Sequence, residues 1–191
     1  MSNADFLLDT NMLGYLTEAK WGRDKPHVRN VQDRVTQATN QNGRRLFIAA
    51  ITAGECECGL RMARRADLAQ QALAREVLRS FPAVLSIDNS IAVDHYAGIR
   101  AKLFERYAPK TARETAKNSC VEQWIDPVTG KTLGVDENDL WIVATAMAHN
   151  LTLVTNDRLK RIIEAVDPPI RIENWTEPAP LTVSHDVLAF R

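Results

Sequence analysis

Four carboxylates are spaced along the chain so that each closes a short apolar run or opens the element after it. Asp9 ends Phe6-Leu7-Leu8, and Glu55 lies one turn past the run 46–51. Asp139 starts Asp139-Leu140-Trp141-Ile142-Val143-Ala144, and Asp157 follows the run 151–155. Ligands of an open parallel sheet bind beyond the C-terminal ends of its strands, so these four side chains are expected to converge on one edge. Packed there without a cation they repel one another and their pKa values rise. A hard divalent ion resolves the conflict, because Mg²⁺ or Mn²⁺ prefers oxygen ligands and keeps waters that a substrate phosphate can replace. Such an ion lowers the pKa of bound water and stabilises the charge of a phosphodiester transition state. The set predicts metal-dependent phosphodiester hydrolysis.

Each carboxylate also has an ordinary explanation. Thr52-Ala53-Gly54-Glu55 fits a capping box, with Glu55 bonding backbone at a helix start. Asp157 suits a helix N-cap, and Asp139 suits the positive end of a helix dipole. Asp9 is the hardest to explain away, since a carboxylate closing a buried strand needs a partner. The weight rests on the ordered set.

The elements that must position these residues alternate short and long. Strands are expected at 5–9, 46–51, 83–87 and 151–155, with an edge strand at 170–172. An amphipathic stretch covers 28–39, and helices are expected at 52–65, 68–79, 90–107, 138–149 and from Asp157. Strands of about five residues between helices of ten or more imply βαβ crossovers. Continuous rather than alternating apolar runs imply a sheet covered on both faces. The fold class is therefore α/β, with a small mostly parallel sheet flanked by helices. Residues 108–135, with Pro109, Asp126-Pro127 and Thr129-Gly130, break this rhythm and are expected to carry a helix and a turn. Residues 176–191 read as a C-terminal tail or covering arm, leaving 1–175 as the domain.

Composition narrows the classes. With 191 residues the length suits one domain. Lys+Arg and Asp+Glu balance at 24 each, which argues against holding nucleic acid by bulk charge but leaves room for a local basic groove. No apolar run approaches the about 20 residues needed to cross a bilayer. No basic region precedes a long apolar stretch near Met1, so a secretory leader is not expected. Cys56, Cys58 and Cys120 form an odd set without Cys-x-x-Cys spacing, which fits reduced thiols in a cytoplasm.

Taken together, Leu7-Leu8-Asp9-Thr10-Asn11, Thr52-Ala53-Gly54-Glu55 with Gly59, Glu137-Asn138-Asp139-Leu140-Trp141-Ile142, Leu151-Thr152-Leu153-Val154-Thr155-Asn156-Asp157 and Ile172-Glu173-Asn174-Trp175 resemble the PIN-domain ribonucleases. Among these the likeness is to the VapC-type toxins of bacterial toxin–antitoxin pairs. The resemblance implies a PIN-like three-layer sandwich and an acidic pocket of Asp9, Glu55, Asp139 and Asp157 that binds Mg²⁺ or Mn²⁺. It implies an endoribonuclease acting on single-stranded or looped RNA, with Asn11 and Thr155 as supporting polar residues. It further implies a protein antitoxin of VapB type and a homodimer. Asp136 is not assigned to the ligand set. The segment 108–135 and the tail are longer than in small members of the family.

Cations that could face RNA fall in three groups: Arg61, Arg64 and Arg65; Lys110, Arg113 and Lys117; and Arg158, Lys160 and Arg161 directly after Asp157. Solvated helix faces explain the first two better, and the third about as well, since it lies next to Asp157. His27, His95, His149 and His185 are scattered and form no metal-binding pair. Two other functions are open at this point. One is a catalytically weak RNA- or protein-binding module of the same fold. The other is a phosphatase with Asp9 as nucleophile, although that chemistry favours a second Asp where Asn11 stands.

Overall fold

A computed structural model describes residues 5–41, 43–63, 68–107, 120–166 and 168–178. Its centre is a five-stranded, all-parallel sheet in the order β3-β2-β1-β4-β5. The strands are β1 (Phe6–Leu8), β2 (Leu46–Ala49), β3 (Val84–Leu85), β4 (Thr152–Val154) and β5 (Ile172–Glu173). β1 lies in the middle, with Leu7 opposite Phe47 on one side and Leu153 on the other.

Alternation along the strands divides the core. Leu7, Ala49 and Leu153 face α5 (Ala97–Tyr107) and α6 (Glu137–Ala148), while Phe6, Leu8, Ile48 and Val154 face α1 (Thr10–Lys20), α2 (Pro26–Thr36) and α4 (Leu68–Arg79). This is the helix–sheet–helix sandwich expected, because a sheet apolar on both faces must be covered on both. Helix α6 buries Leu140, Ile142, Val143, Ala144 and Ala146, so its N-terminus is held firmly at the sheet edge. Trp175 packs edge-on against Phe6 with ring centroids 4.9 Å apart, and Trp141 stacks on Tyr96. Both tryptophans serve packing.

Several boundaries differ from the sequence reading, and two of them move site residues. Helix α1 begins immediately after Asp9, where no helix is expected from periodicity. Helix α3 spans Ala50–Met62, not 52–65, so Thr52 lies inside it, buried, with its hydroxyl unpartnered. Thr52 therefore caps nothing, and the capping-box explanation of Glu55 fails. The last helix, α7 (Lys160–Ile163), starts three residues later than expected, so Asp157 is no N-cap. The strand expected at 83–87 keeps two residues, and the helix expected over 90–107 opens with π-type turns at Ser90–Tyr96. The edge strand lies at Ile172–Glu173.

Residues 120–135 form a strap with a 3₁₀ turn at Val121–Gln123 and a small hairpin. Leu133 N–H donates to Trp124 O at 2.7 Å, and Asp126 N–H donates to Lys131 O at 2.8 Å. The part of the segment at 108–119, the cations Arg64, Arg65, Lys110, Arg113 and Lys117, and the tail from 179 lie outside the described residues. Among the described residues no helix is long and apolar enough to cross a membrane, and the three cysteines are unpaired.

Candidate active site

Asp9 is built into the sheet edge. Its N–H extends the β1–β4 ladder to Val154 O at 3.0 Å, while its carboxylate caps α1 through Thr10 N–H at 2.6 Å. Capping by Asp satisfies an orphan N–H and places negative charge at the dipole's positive end. Thr155, itself buried, donates its hydroxyl to the other carboxylate oxygen at 2.7 Å, and Asn11 donates to that oxygen at 3.2 Å. Burial nonetheless raises the Asp9 pKa; the Thr155 and Thr10 bonds oppose the rise, and the charges of Asp157 and Glu55 add to it. With only 5% of its surface exposed, Asp9 is the partnered buried carboxylate that its place at a strand end requires.

Asn11 and Thr155 link Asp9 to Asp157. Asn11 donates to the Asp157 carboxylate at 2.9 Å, and Asp157 N–H donates to Thr155 Oγ1 at 3.0 Å. Glu55 comes from the neighbouring strand–helix unit. It accepts from Thr10 Oγ1 at 2.5 Å and from Asn138 Nδ2 at 2.7 Å. Thr10 and Asn138 stand inside the motifs read from the sequence, but nothing local marks them as partners of Glu55.

Asp139 differs from the other three. Among the described residues no hydrogen bond reaches its carboxyl, and its pKa is pushed up to about 7. Burial is the main cause, followed by the charges of Asp9, Asp136, Asp157 and Glu55. Cys56 is no nucleophile here, because burial and the charges of Glu55 and Asp9 push its thiol up to about 11.

All four acids therefore meet at the C-terminal edge of the sheet, close enough to perturb one another. Among the described residues no group of three or more His, Cys, Asp and Glu side chains is arranged to hold an ion outright. The donor chemistry nevertheless fits a hard cation. The donors are all oxygens, Asp139 has no hydrogen-bond partner, and Asn11 Oδ1 is buried in the site without one.

Two cavities open beside the acids. One of about 390 Å³ is bordered by Asp136, Asp139, Asp157, Arg158, Lys160 and strap residues 133–135. The other, of about 680 Å³, runs between α1, α3 and α4 past Leu13, Tyr15, Cys56, Leu60 and Leu78 to Asn11 and Glu55. Arg158, Lys160 and Arg161 thus border the acidic edge. Arg161 is also held from within, donating to Tyr107 Oη at 3.1 Å and pairing with buried Asp126. Arg61 pairs along its own helix with Glu57 at 2.8 Å.

An α/β sandwich with an acidic, all-oxygen cleft at the sheet's carboxyl edge defines a narrow class of protein. Residues 6–164 match the PIN domain, and the chain belongs to the PIN-domain family. No curated protein matches it. Among solved structures it is similar to a chain of the DNA-bound VapBC of Salmonella typhimurium, with 24% identity, a TM-score of 0.58, and coverage of 90% of this chain and 98% of that one. It is also similar to a chain of VapBC2 from Rickettsia felis bound to a promoter DNA fragment, at 22% identity and a TM-score of 0.57, covering 89% and 98%. For VapBC-1 of nontypeable Haemophilus influenzae the values are 24% and 0.53, covering 90% and 98%.

Proposed function

We propose that this PIN-domain chain is a metal-dependent endoribonuclease, the toxin of a VapBC-type toxin–antitoxin pair acting in the cytoplasm. The observation that carries the reading is Asp139, a carboxyl without a hydrogen-bond donor among the described residues, pushed up to about 7 among four other acids. A site so built lacks a positive charge rather than a proton donor.

Asp9, Glu55, Asp139 and Asp157 would hold Mg²⁺ or Mn²⁺. When bound, the ion supplies charge for the phosphodiester transition state and lowers the pKa of a water. The chain's own residues prepare this. Thr155 and Thr10 hold Asp9 in one orientation, which limits the reorganisation needed when charge develops. Asn11 donates to both Asp9 and Asp157 and so bridges the two carboxylates, while its buried Oδ1 has no partner among the described residues. Thr10 and Asn138 hold Glu55 towards the cleft rather than towards its own helix. No histidine belongs to the site among the described residues, so proton removal from water falls to the carboxylates.

The apolar cavity beside α1, α3 and α4 suits an amphipathic antitoxin peptide that places a basic side chain among the acids. A homodimer is the assembly that the family resemblance favours.

The test is cleavage of a mixed RNA pool by purified protein with Mg²⁺ or Mn²⁺, with EDTA, and with Asp9→Asn. Metal-dependent cutting lost in both controls is expected. Cutting that survives Asp9→Asn would place the chemistry elsewhere. Folded protein that binds RNA but never cuts it under either metal would make the chain a binding module.

A further inference from the structure

We propose that a cavity at the other end of the sheet from the acids binds a small apolar monocarboxylate. Arg44 is the ligand of its carboxylate, and the apolar walls seat its body. The site stands independently of the nuclease reading.

The cavity has a volume of about 440 Å³, within the range of about 300–1,000 Å³ typical of small-ligand sites. It lies between α1, α2 and α4 at the start of β2, where Leu46 is opposite Phe6. Asp9 and the other acids follow the far ends of the same strands. Leu16, Val35, Leu46, Val77 and Phe81 wall the cavity. Three cations border it, Lys20, Arg44 and Arg45, and among the described residues no aspartate or glutamate does.

Two of these cations are already neutralised from outside the cavity. Lys20 pairs with Glu76. Arg45 donates to the Asp5 carboxylate twice, through Nε at 2.9 Å and through its backbone N–H at 2.9 Å. Arg44, its neighbour in sequence, has no such acid. Among the described residues its side chain makes no hydrogen bond or ion pair, and its Nε is buried without an acceptor. Its backbone N–H donates to Ala38 O at 3.0 Å, and its guanidinium carbon lies 5.2 Å from the Phe6 ring centroid. Those two contacts hold the cation at the cavity wall. The hydroxyls of Thr39 and Ser80 donate to Val35 O and Val77 O, so neither donates into the cavity.

A buried donor without an acceptor destabilises the fold, and a ligand that brings the acceptor removes that cost. A carboxylate matches the planar fork of a guanidinium and carries the negative charge that the walls lack. The apolar walls favour a hydrocarbon body over a sugar or a phosphate, whose remaining polar groups would be buried without partners. Recognition is therefore divided. The walls take any apolar body that fits, and Arg44 selects the acid over the alcohol or the amine.

The experiment is titration calorimetry of the full chain, without metal or RNA, using octanoate, octanol and octylammonium. Octanoate should bind, octanol should bind about tenfold more weakly, and octylammonium should give no measurable heat. Arg44→Met keeps the apolar stem and should lower octanoate affinity about 10- to 100-fold while leaving octanol unchanged. Arg44→Lys keeps the charge without the planar fork and should lose less. Ala19→Leu narrows the cavity from α1 and should weaken octanoate and octanol alike. Melting temperatures check that each variant is folded, and the comparison of the three head groups on wild-type protein needs no variant. Equal binding of octanoate and octanol, octanoate affinity unchanged in folded Arg44→Met, or no octanoate binding to wild-type protein would each overturn the site. So would an octanoate affinity that falls as protein concentration rises, since a second copy of the chain then fills the cavity. None of these readouts involves RNA, so failure here leaves the nuclease reading standing.

Discussion

The two cavities beside the carboxylates are lined by different chemistry. The one next to Asp139 and Asp157 is bordered by Asp136, Arg158 and Lys160, so acids and cations face each other across it. The larger one next to Asn11 and Glu55 is walled by Leu13, Tyr15, Leu60 and Leu78, with Glu18 and Glu55 as its charged residues. A charged backbone gains most from the first, because among the described residues the Arg158 and Lys160 side chains have no partner there and counter-ions are released when phosphate arrives. An amphipathic peptide gains most from the second, because burying apolar side chains needs no charge compensation.

The largest expected effect falls where the two sides meet. Asp139→Asn should lower cleavage by about 10³-fold, the several kcal/mol of charge stabilisation that a bound ion provides. In the same variant, Mg²⁺ should no longer raise the melting temperature, and calorimetry with and without the ion reads this directly. A retained metal shift would remove Asp139 from the ligand set.

Next comes the apolar side. Leu60→Arg should weaken binding of a cognate antitoxin by about 2 kcal/mol or more, as charge at a buried interface centre does. Titration of antitoxin into a cleavage assay would show the loss of protection. Should RNA affinity fall as far as antitoxin affinity, the two cavities are not separate in function.

A smaller effect is expected at Thr10, which joins the apolar side to the acidic cluster. Thr10→Val keeps the shape and removes the hydroxyl that bonds Glu55. The loss should be about tenfold in kcat, near the value of a hydrogen bond to a charged group. Stopped-time cleavage at saturating RNA measures it.

The smallest expected effect is on pH dependence. Asp139 in the folded chain titrates near 7, above its ordinary 3.8. A raised acid is most compatible with folding while protonated, so its contribution is lost as pH rises towards and through about 7. Metal-free protein should therefore melt at progressively lower temperature between about pH 4 and pH 7. Asp9, also raised, acts in the same direction. Mg²⁺ should reverse the trend, since metal ligands must be deprotonated. Asp139→Asn should flatten the metal-free slope; a slope left unchanged would mean that another group titrates there.

How much of this was legible beforehand depended on range. The parallel sheet could be read because β1, β2 and β4 are continuous apolar runs between longer helical stretches. Asp9, Glu55, Asp139 and Asp157 could be read because a strand's carboxyl end is a position in sequence as well as in space. Helix α1 could not, since Thr10, Asn11 and Gly14 in its first turns are poor helix formers and its start is set by the Asp9 cap and by packing on α2 and α4. The capping-box reading of Glu55 failed for a related reason. Strand β2 passes into α3 without a loop, so Thr52 arrives already inside the helix.

The sequence by itself determined the order of the acids, the period of the apolar runs and hence the class of sheet, because those are properties of near neighbours. Only the tertiary structure decided what each polar group does at the site. Thr10 and Glu55 are 45 residues apart, Glu55 and Asn138 are 83 apart, and Asp126 and Arg161 are 35 apart. Three cations stand nearly side by side in Arg158-Leu159-Lys160-Arg161 and all border the cleft, yet among them Arg161 is held by a buried acid. Local sequence assigns them the same charge. Their surroundings, brought together from distant parts of the chain, give them different tasks.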